Sequence, residues 1–203
     1  CKASQGGAVR SPANTFSMTG GTITDSEAYQ QGGGAFVETG TFTMSGTAVV
    51  ENCIVAVSNP SNTPQGAGVF VNRGTLNMLS GAKIRNNTAV GNGQGAGVYA
   101  SSGGTFNMAG GAEITGNIAD KKTDFTTDQQ TRSGIGGGAY TDGGSIILQD
   151  GALIRDDHAS NNGGGVYIVN GTLDMYNATI ENCTSGNGAG VFVAKNSFLT
   201  MYG

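Results

Sequence analysis

The residues best suited to chemistry form one run, Arg155-Asp156-Asp157-His158, which contains the only histidine of the chain. Hydrolysis of a glycosidic bond needs an acid and a base on either side of that bond, and carboxyl groups usually supply both. The second set of carboxylates and the pair of basic residues that such a site would need are missing from the chain. We therefore expect no catalytic residues in this run.

A structural explanation accounts for the same run, because its position recurs elsewhere. Asp156-Asp157 follows an apolar segment, LIR, as Asn86-Asn87 follows KIR. Asn and Asp tolerate left-handed backbone and bond to their own main chain, so both pairs are typical of a turn. Calcium-dependent lyase chemistry would need several carboxylates around one ion, and no column of stacked Asp or Glu appears. We expect no metal site and no cofactor.

Most of the chain repeats one unit, shown in its shortest form by residues 163–187, which read GGGVYIVNGTLDMYNATIENCTSGN. Each unit contains three short segments, here GVYI, TLDM and TIEN, in which apolar and polar residues alternate as in a β-strand. Three strands in a unit of about 25 residues are typical of a parallel β-helix. The sequence predicts an all-β solenoid over residues 14–203, with three short strands per coil and about six to seven coils. Residues 1–13 are predicted to be a tether or cap, and the solenoid to be a fragment of a longer one.

Composition agrees with a folded, turn-rich chain. Glycine provides 37 of 203 residues, charged residues only 12%, and the net charge is −4. A disordered chain would carry more net charge and fewer apolar residues. Without a cluster of Lys and Arg to neutralise phosphates, we expect no nucleic-acid partner.

An aromatic column is the first candidate binding surface. The fifth position of each glycine-rich strand is aromatic, and strict alternation points it away from the core, beside glycines that would also face outward. The rings could stack on sugar rings or dock a partner, or they could be covered and serve only as structural stacking. Both interpretations stay open. The residues are Phe36, Phe70, Tyr99, Tyr140, Tyr167 and Phe192.

Two further surfaces are weaker candidates. A threonine column faces outward, and regular threonine arrays can bind ice, although exposed threonine is also simply favourable in strands. The insertion at residues 119–134 is charged, and insertions in a solenoid emerge as loops that often bind, or that are merely tolerated. The threonine column contains Thr41, Thr75, Thr105 and Thr172, and the insertion contains Lys121, Lys122, Asp124, Phe125, Asp128 and Arg132.

The repeats resemble those of bacterial surface β-helix proteins, namely the polymorphic outer-membrane protein, autotransporter-passenger and adhesin-like families. The residues that carry the resemblance are Ile84, Asn87, Ala89, the segment 95–99, and the segment 180–192 with Gly190 and Phe192. The resemblance implies a right-handed parallel β-helix displayed at the cell surface. It carries over no catalytic residue.

These observations together favour a non-enzymatic, secreted or cell-surface module that acts as an adhesin or a structural stalk. A carbohydrate-binding or carbohydrate-cleaving β-helix and an ice-binding solenoid remain the alternatives. The expected partner is a host or cell-surface glycan or protein, or neighbouring copies of the chain. Contact with a membrane is expected only if Cys1 carries a lipid anchor, and Cys1 could equally be an ordinary residue.

Overall fold

The computed structural model describes residues 1–56, 63–120 and 134–203. Within these ranges the chain contains β-strands and no α-helix, and so no helix that could cross a bilayer. The strands form four sheets in which each strand pairs in parallel with its equivalents in the units before and after it. This is the arrangement of a parallel β-helix, or solenoid.

The strands of each sheet are stacked in the order of the chain, one from each successive unit. Sheet A contains β1 (Lys2–Gln5), β5 (Glu27–Gln31), β9 (Ile54–Ala56), β13 (Thr88–Val90), β17 (Ile118–Asp120) and β21 (His158–Ala159). Sheet B contains β2 (Val9–Ser11), β6 (Ala35–Val37), β10 (Val69–Asn72), β14 (Val98–Ser101), β18 (Ala139–Asp142), β22 (Val166–Val169) and β25 (Val191–Val193). Sheet C contains β3 (Phe16–Met18), β7 (Thr41–Met44), β11 (Thr75–Met78), β15 (Thr105–Met108), β19 (Ser145–Gln149), β23 (Thr172–Tyr176) and β26 (Phe198–Tyr202). Sheet D contains β4 (Thr22–Thr24), β8 (Val49–Glu51), β12 (Lys83–Arg85), β16 (Glu113–Thr115), β20 (Leu153–Arg155) and β24 (Thr179–Glu181).

The prediction of three strands per coil was wrong, because sheet A supplies a fourth. Its strands follow the polar turn and are two to five residues long, with three residues in β13. Only the central residue of β13, Ala89, is buried. A single small apolar residue leaves no alternation for a sequence pattern to reveal.

Residues 1–13, predicted to be a tether or cap, contain strands β1 and β2. Strands β1 and β2 pair with β5 and β6 of the next unit, for example Val9 with Ala35. The sheets therefore begin near residue 2 and not at residue 14.

The core follows the alternation of apolar and polar residues in the sequence. Sheet C supplies large buried side chains such as Phe106 and Met108, and sheet D supplies the isoleucine column that includes Ile84 and Ile114. Equivalent residues pair in register, as Leu76 does with Phe106. Burial of each large side chain contributes about 1.5–3 kcal/mol. A second, smaller cluster of alanines and one valine packs inside sheet A.

Left-handed residues end sheet D, as the Asx pattern predicts. Asp25, Asn52, Asn86, Asp156 and Asn182 all have φ between 51° and 55°. The corresponding position in the remaining unit is Gly116, with φ of 66°. Asn and Asp are the non-glycine residues that adopt this conformation most readily, which explains their recurrence at the turn.

Candidate functional site

The aromatic column forms a continuous stack along sheet B. Adjacent ring centroids lie 4.5–5.2 Å apart and adjacent rings are within 20° of parallel. The rings form a cluster separate from the main core, so they lie on the opposite face of sheet B from Val69 and Val71. Strict alternation placed them on that face correctly.

Burial divides this aromatic ladder into two parts. Phe36, Phe70, Tyr99 and Tyr140 are only 3–4% exposed, whereas Tyr167 and Phe192 are half-buried. Burial raises the pKa of Tyr99, Tyr140 and Tyr167, and the Asp142 carboxylate adds to the rise. The four buried rings provide structural stacking, and only the last two offer surface to a ligand.

The glycines beside the ladder do not face outward as the alternation suggested. A Cβ on Gly68 would lie 2.9 Å from Ile84 Cγ2 and 3.0 Å from Asn87 Nδ2, which places it toward the core. The preceding Gly66 has φ of +60°, so the chain turns there and the alternation does not extend through it. The bare backbone strip that the sequence suggested beside the rings is therefore absent from the described units.

The Asp-His run occupies the turn between sheets D and A. Asp156 is exposed at the left-handed position, whereas Asp157 is fully buried. His158 begins β21, where its Nδ1 lies 2.8 Å from Thr184 Oγ1. The two carboxyl groups therefore face different environments. This agrees with the structural explanation of the run.

Beneath the turn, an amide ladder runs through the interior. Asn87 Nδ2 donates to Asn117 Oδ1 at 2.9 Å, and Asn117 Nδ2 donates to Asp157 Oδ1 at 3.0 Å. The same oxygens also accept backbone N–H groups of the unit before, such as that of Asn87 at 3.0 Å. Cys53 and Cys183 occupy the equivalent positions as free thiols. Satisfied networks of this kind rigidify a core.

The threonine column lies on the outer face of sheet C in continuous register. Thr41, Thr75 and Thr105 are direct neighbours, and Ser145 lies between Thr105 and Thr172. All are half-buried. Beside them Asn107 Nδ2 donates to Asn77 Oδ1 at 2.9 Å. The mixed column does not present a uniform array of exposed hydroxyl groups.

A row of ion pairs on the outside of sheet D was not predicted from the sequence. Glu113 accepts from Lys83 at 2.8 Å and from Arg155 at 2.6 Å, and Arg85 pairs with Glu51 at 2.7 Å. Burial alone would raise the pKa of Glu113, but the two cations outweigh it and hold that pKa below its usual value. The signal was available, since opposite charges fall at equivalent positions of successive units.

A second missed feature is the apolar C-terminal face of the stack. Phe198 is 71% exposed, Met201 67% and Tyr202 56%. An open cavity of about 310 Å³ lies there, lined by residues that include Met175, Ile180 and Val191. Tyr202 stacks on Tyr176 at 4.8 Å.

The insertion residues Lys121, Lys122, Asp124, Phe125, Asp128 and Arg132 lie outside the described residues. Within the described ranges, no group of three or more His, Cys, Asp or Glu side chains could hold a metal ion. Neither a protein-family model, nor a curated protein, nor a solved structure matches this chain.

Proposed function

We propose that the chain is a non-enzymatic structural module, a right-handed β-helix of about six to seven coils that serves as a stalk of the adhesin-like type outside a bacterial cell. The observation that carries this proposal is the stacking of parallel strands from successive units in all four sheets. Seven stacked strands at the usual interstrand spacing span about 30 Å. Connections between parallel strands of one sheet are nearly always right-handed, which supports the proposed hand.

Side-chain contacts along the stack support the proposed role as a structural stalk. The aromatic ladder, the amide ladder and a glutamine ladder, in which Gln31 Nε2 donates to Gln65 Oε1 at 2.8 Å, each continue from unit to unit. Each ladder couples neighbouring units only, as in other solenoids. A rod of this type can change in length by whole units without changing its cross-section.

Insertion of extra units tests the stalk. A second and third copy of residues 66–94 would be placed in tandem, and small-angle X-ray scattering would measure length and cross-section. Each copy should add about 5 Å of length at constant cross-section. A shorter, thicker particle would contradict the proposal, and so would cleavage of any polysaccharide in a screen with the unmodified chain as the enzyme.

Glycan binding is a second candidate, favoured by the exposed end of the aromatic ladder. The rings of Tyr167 and Phe192 lie 5.2 Å apart and within 1° of parallel, and both are half-buried. Parallel aromatic faces are suited to stacking on sugar rings. The partner would be a glycan or glycoprotein of a cell surface.

A glycan array followed by calorimetry would test this candidate. Phe192→Ser should abolish binding, whereas Phe198→Ser, an exposed aromatic residue outside the ladder, should leave it unchanged. Equal loss in both variants, or no binding by the parent chain, would exclude the ladder as a glycan site.

A further inference from the structure

Most side chains of the amide ladder donate a hydrogen bond to a backbone carbonyl. Asp157 cannot do so when its carboxyl group is ionised. Six side chains occupy equivalent positions along this ladder, from Ser26 in the first unit to Cys183, and four of them donate to the backbone carbonyl two residues earlier in the chain. Asn87 Nδ2 donates instead to Val50 O and to Asn117 Oδ1. Ser26 Oγ donates to Thr24 O at 3.1 Å, Cys53 Sγ to Glu51 O at 3.2 Å, Asn117 Nδ2 to Thr115 O at 3.3 Å, and Cys183 Sγ to Glu181 O at 3.3 Å. A hydroxyl, two thiols and an amide therefore perform the same task, and what they share is a hydrogen to donate.

Asp157 occupies the same position, with an oxygen where asparagine has its amide nitrogen. Its Oδ1 accepts the Asn117 backbone N–H at 2.7 Å and Asn117 Nδ2 at 3.0 Å. Its Oδ2 is buried and has no hydrogen-bond partner among the described residues. A Cβ on Gly138 would lie 2.6 Å from Oδ2, as one on Gly97 would lie 3.2 Å from Asn117 Nδ2. The carboxyl group is therefore placed as an asparagine side chain is.

The register identifies what faces Oδ2. Asn117 Nδ2 donates both to Thr115 O and to Ile84 O. The equivalents for Asp157 are the carbonyl oxygens of Arg155 and Ile114. A carboxylate oxygen facing carbonyl oxygens in a buried site is repelled, whereas a carboxylic acid O–H can donate to one of them.

We propose that Asp157 is a proton-binding site, occupied at neutral pH, and that this proton links the last two units of the solenoid to the stack. The neutral acid completes the ladder between Asn117 and Cys183. Loss of the proton leaves a buried anion and removes the donor. The proposal is independent of the stalk function, since it concerns how this chain holds its C-terminal units together.

The charges around the site favour the proton. Burial raises the pKa of Asp157 to about 8; the Asn117 hydrogen bonds oppose the rise, and the carboxylates of Asp156 and Glu113 add to it. From the next unit, the Cys183 thiol interacts with Asp157 and Glu181 interacts with that thiol, and neither group supplies positive charge. Arg155 is directed to Glu113 at 2.6 Å and to Asp156 at 3.7 Å, Lys83 also binds Glu113, and His158 bonds to Thr184.

The sign of the pH effect follows from linkage. Between the ordinary carboxyl pKa near 4 and about 8, the folded chain keeps a proton that the unfolded chain releases. This contribution to stability is fully present below about pH 4, falls as pH rises, and stops changing above about pH 8. Asp157→Asn supplies a permanent donor and should lack this pH dependence.

Two measurements test the proposal. In the unmodified chain, the ¹³C resonance of the Asp157 side-chain carboxyl should titrate with a midpoint at least about one pH unit above that of an ordinary aspartate. In urea unfolding between pH 4.5 and 8.5, the midpoint of Asp157→Asn should exceed that of the parent chain by an amount that grows with pH. Asp25→Asn, at the exposed left-handed turn position that is equivalent to Asp156 but four units away, is the matched control and should run parallel to the parent.

An Asp157 resonance that titrates near pH 4 would overturn the proposal, whatever the variant does. A constant or vanishing difference between Asp157→Asn and the parent across this pH range would also overturn it.

Discussion

At the N-terminal end of the stack, Arg10 occupies the place in the aromatic column that Phe192 occupies at the C-terminal end. The Arg10 guanidinium lies 5.5 Å from the Phe36 ring centroid and pairs with Glu38 at 2.9 Å. Lys2 similarly pairs with Glu27 at 2.7 Å. The N-terminal face therefore carries charge at the ends of the aromatic column and of sheet A, while Phe16 and Met18 end the interior columns of sheet C.

At the C-terminal face, Phe192 ends the aromatic column and apolar residues end sheet C. Leu199 and Met201 extend the interior column of sheet C, and Phe198 and Tyr202 project beside them. Both faces have the same strand register, so the difference lies only in which side chain ends each column. The residues that end the outer columns thus decide whether a face is charged or apolar, while the interior residues decide that it stacks at all.

The largest expected effect is a difference in the free energy of unfolding between two leucine variants in one interior column of sheet C. One leucine lies in the middle of the stack and the other at its C-terminal end. Leu76→Ala removes a fully buried side chain and should lower the free energy of unfolding by about 2–5 kcal/mol. Leu199→Ala, in the same column but half-buried, should cost less than about half as much. Urea unfolding followed by circular dichroism measures both. Equal losses would mean that the C-terminal unit is packed as tightly as the middle.

The central glycine of the unit gives a second paired comparison. A Cβ on Gly68 would lie 2.5 Å from Gly97 O and 2.9 Å from Ile84 Cγ2, so Gly68→Ala should destabilise the fold by about 1–3 kcal/mol.

At the C-terminal end the equivalent Gly190 has only Ile180 Cγ2, at 3.8 Å, near its Cβ position. Gly190→Ala should therefore change the thermal midpoint little. A large loss at Gly190 would show that this face is covered in solution.

Self-association should depend on the C-terminal face. Exposed apolar residues attract one another in water, so Phe198→Ser combined with Met201→Ser should lower the associated fraction several-fold, with little change in stability. Sedimentation velocity over a concentration series would measure this fraction. Tyr29→Ser removes a 42% exposed ring near the other end and is the control. If only Tyr29→Ser lowered the associated fraction, the N-terminal face and not the C-terminal face would be the one that associates.

The smallest expected effect concerns Arg10. Arg10→Gln removes both the cation over Phe36 and the ion pair with Glu38, and exposed contacts of these kinds contribute about 0.5–1 kcal/mol. Glu38→Gln removes only the ion pair and should cost less. Both are measured as shifts in the urea midpoint, and identical shifts would assign the whole effect to the ion pair.

The sequence allowed the columns to be predicted because alternation with period two is local. Residues such as Phe106 and Ile84 could be placed inside, and Asn86 at a left-handed turn, from their immediate neighbours alone. The fourth strand of each unit was not predicted from the sequence, because a strand such as β13 has only one buried residue, Ala89. A strand held by its pairing partners and not by its own pattern cannot be recognised locally.

Burial of the aromatic ladder could not be predicted for a related reason. Alternation places Tyr99 outside the main core, which is correct, but its 4% exposure depends on what lies over that face. The special role of Asp157 was hidden as well, because Asp and Asn are equally suited to the turn in sequence. Only the buried Oδ2 distinguishes them.

The ladder thiols have a consequence for the redox behaviour of the fold. Cys53 and Cys183 are unpaired, and burial raises the pKa of each to about 11. At pH 7 only roughly one thiol in ten thousand would be the reactive thiolate, so oxidation at these positions is slow. Neither thiol needs an oxidant to complete its contacts, since each already donates to a carbonyl. Once the solenoid is folded, Cys53 and Cys183 should therefore stay reduced and keep these contacts in mildly oxidising surroundings.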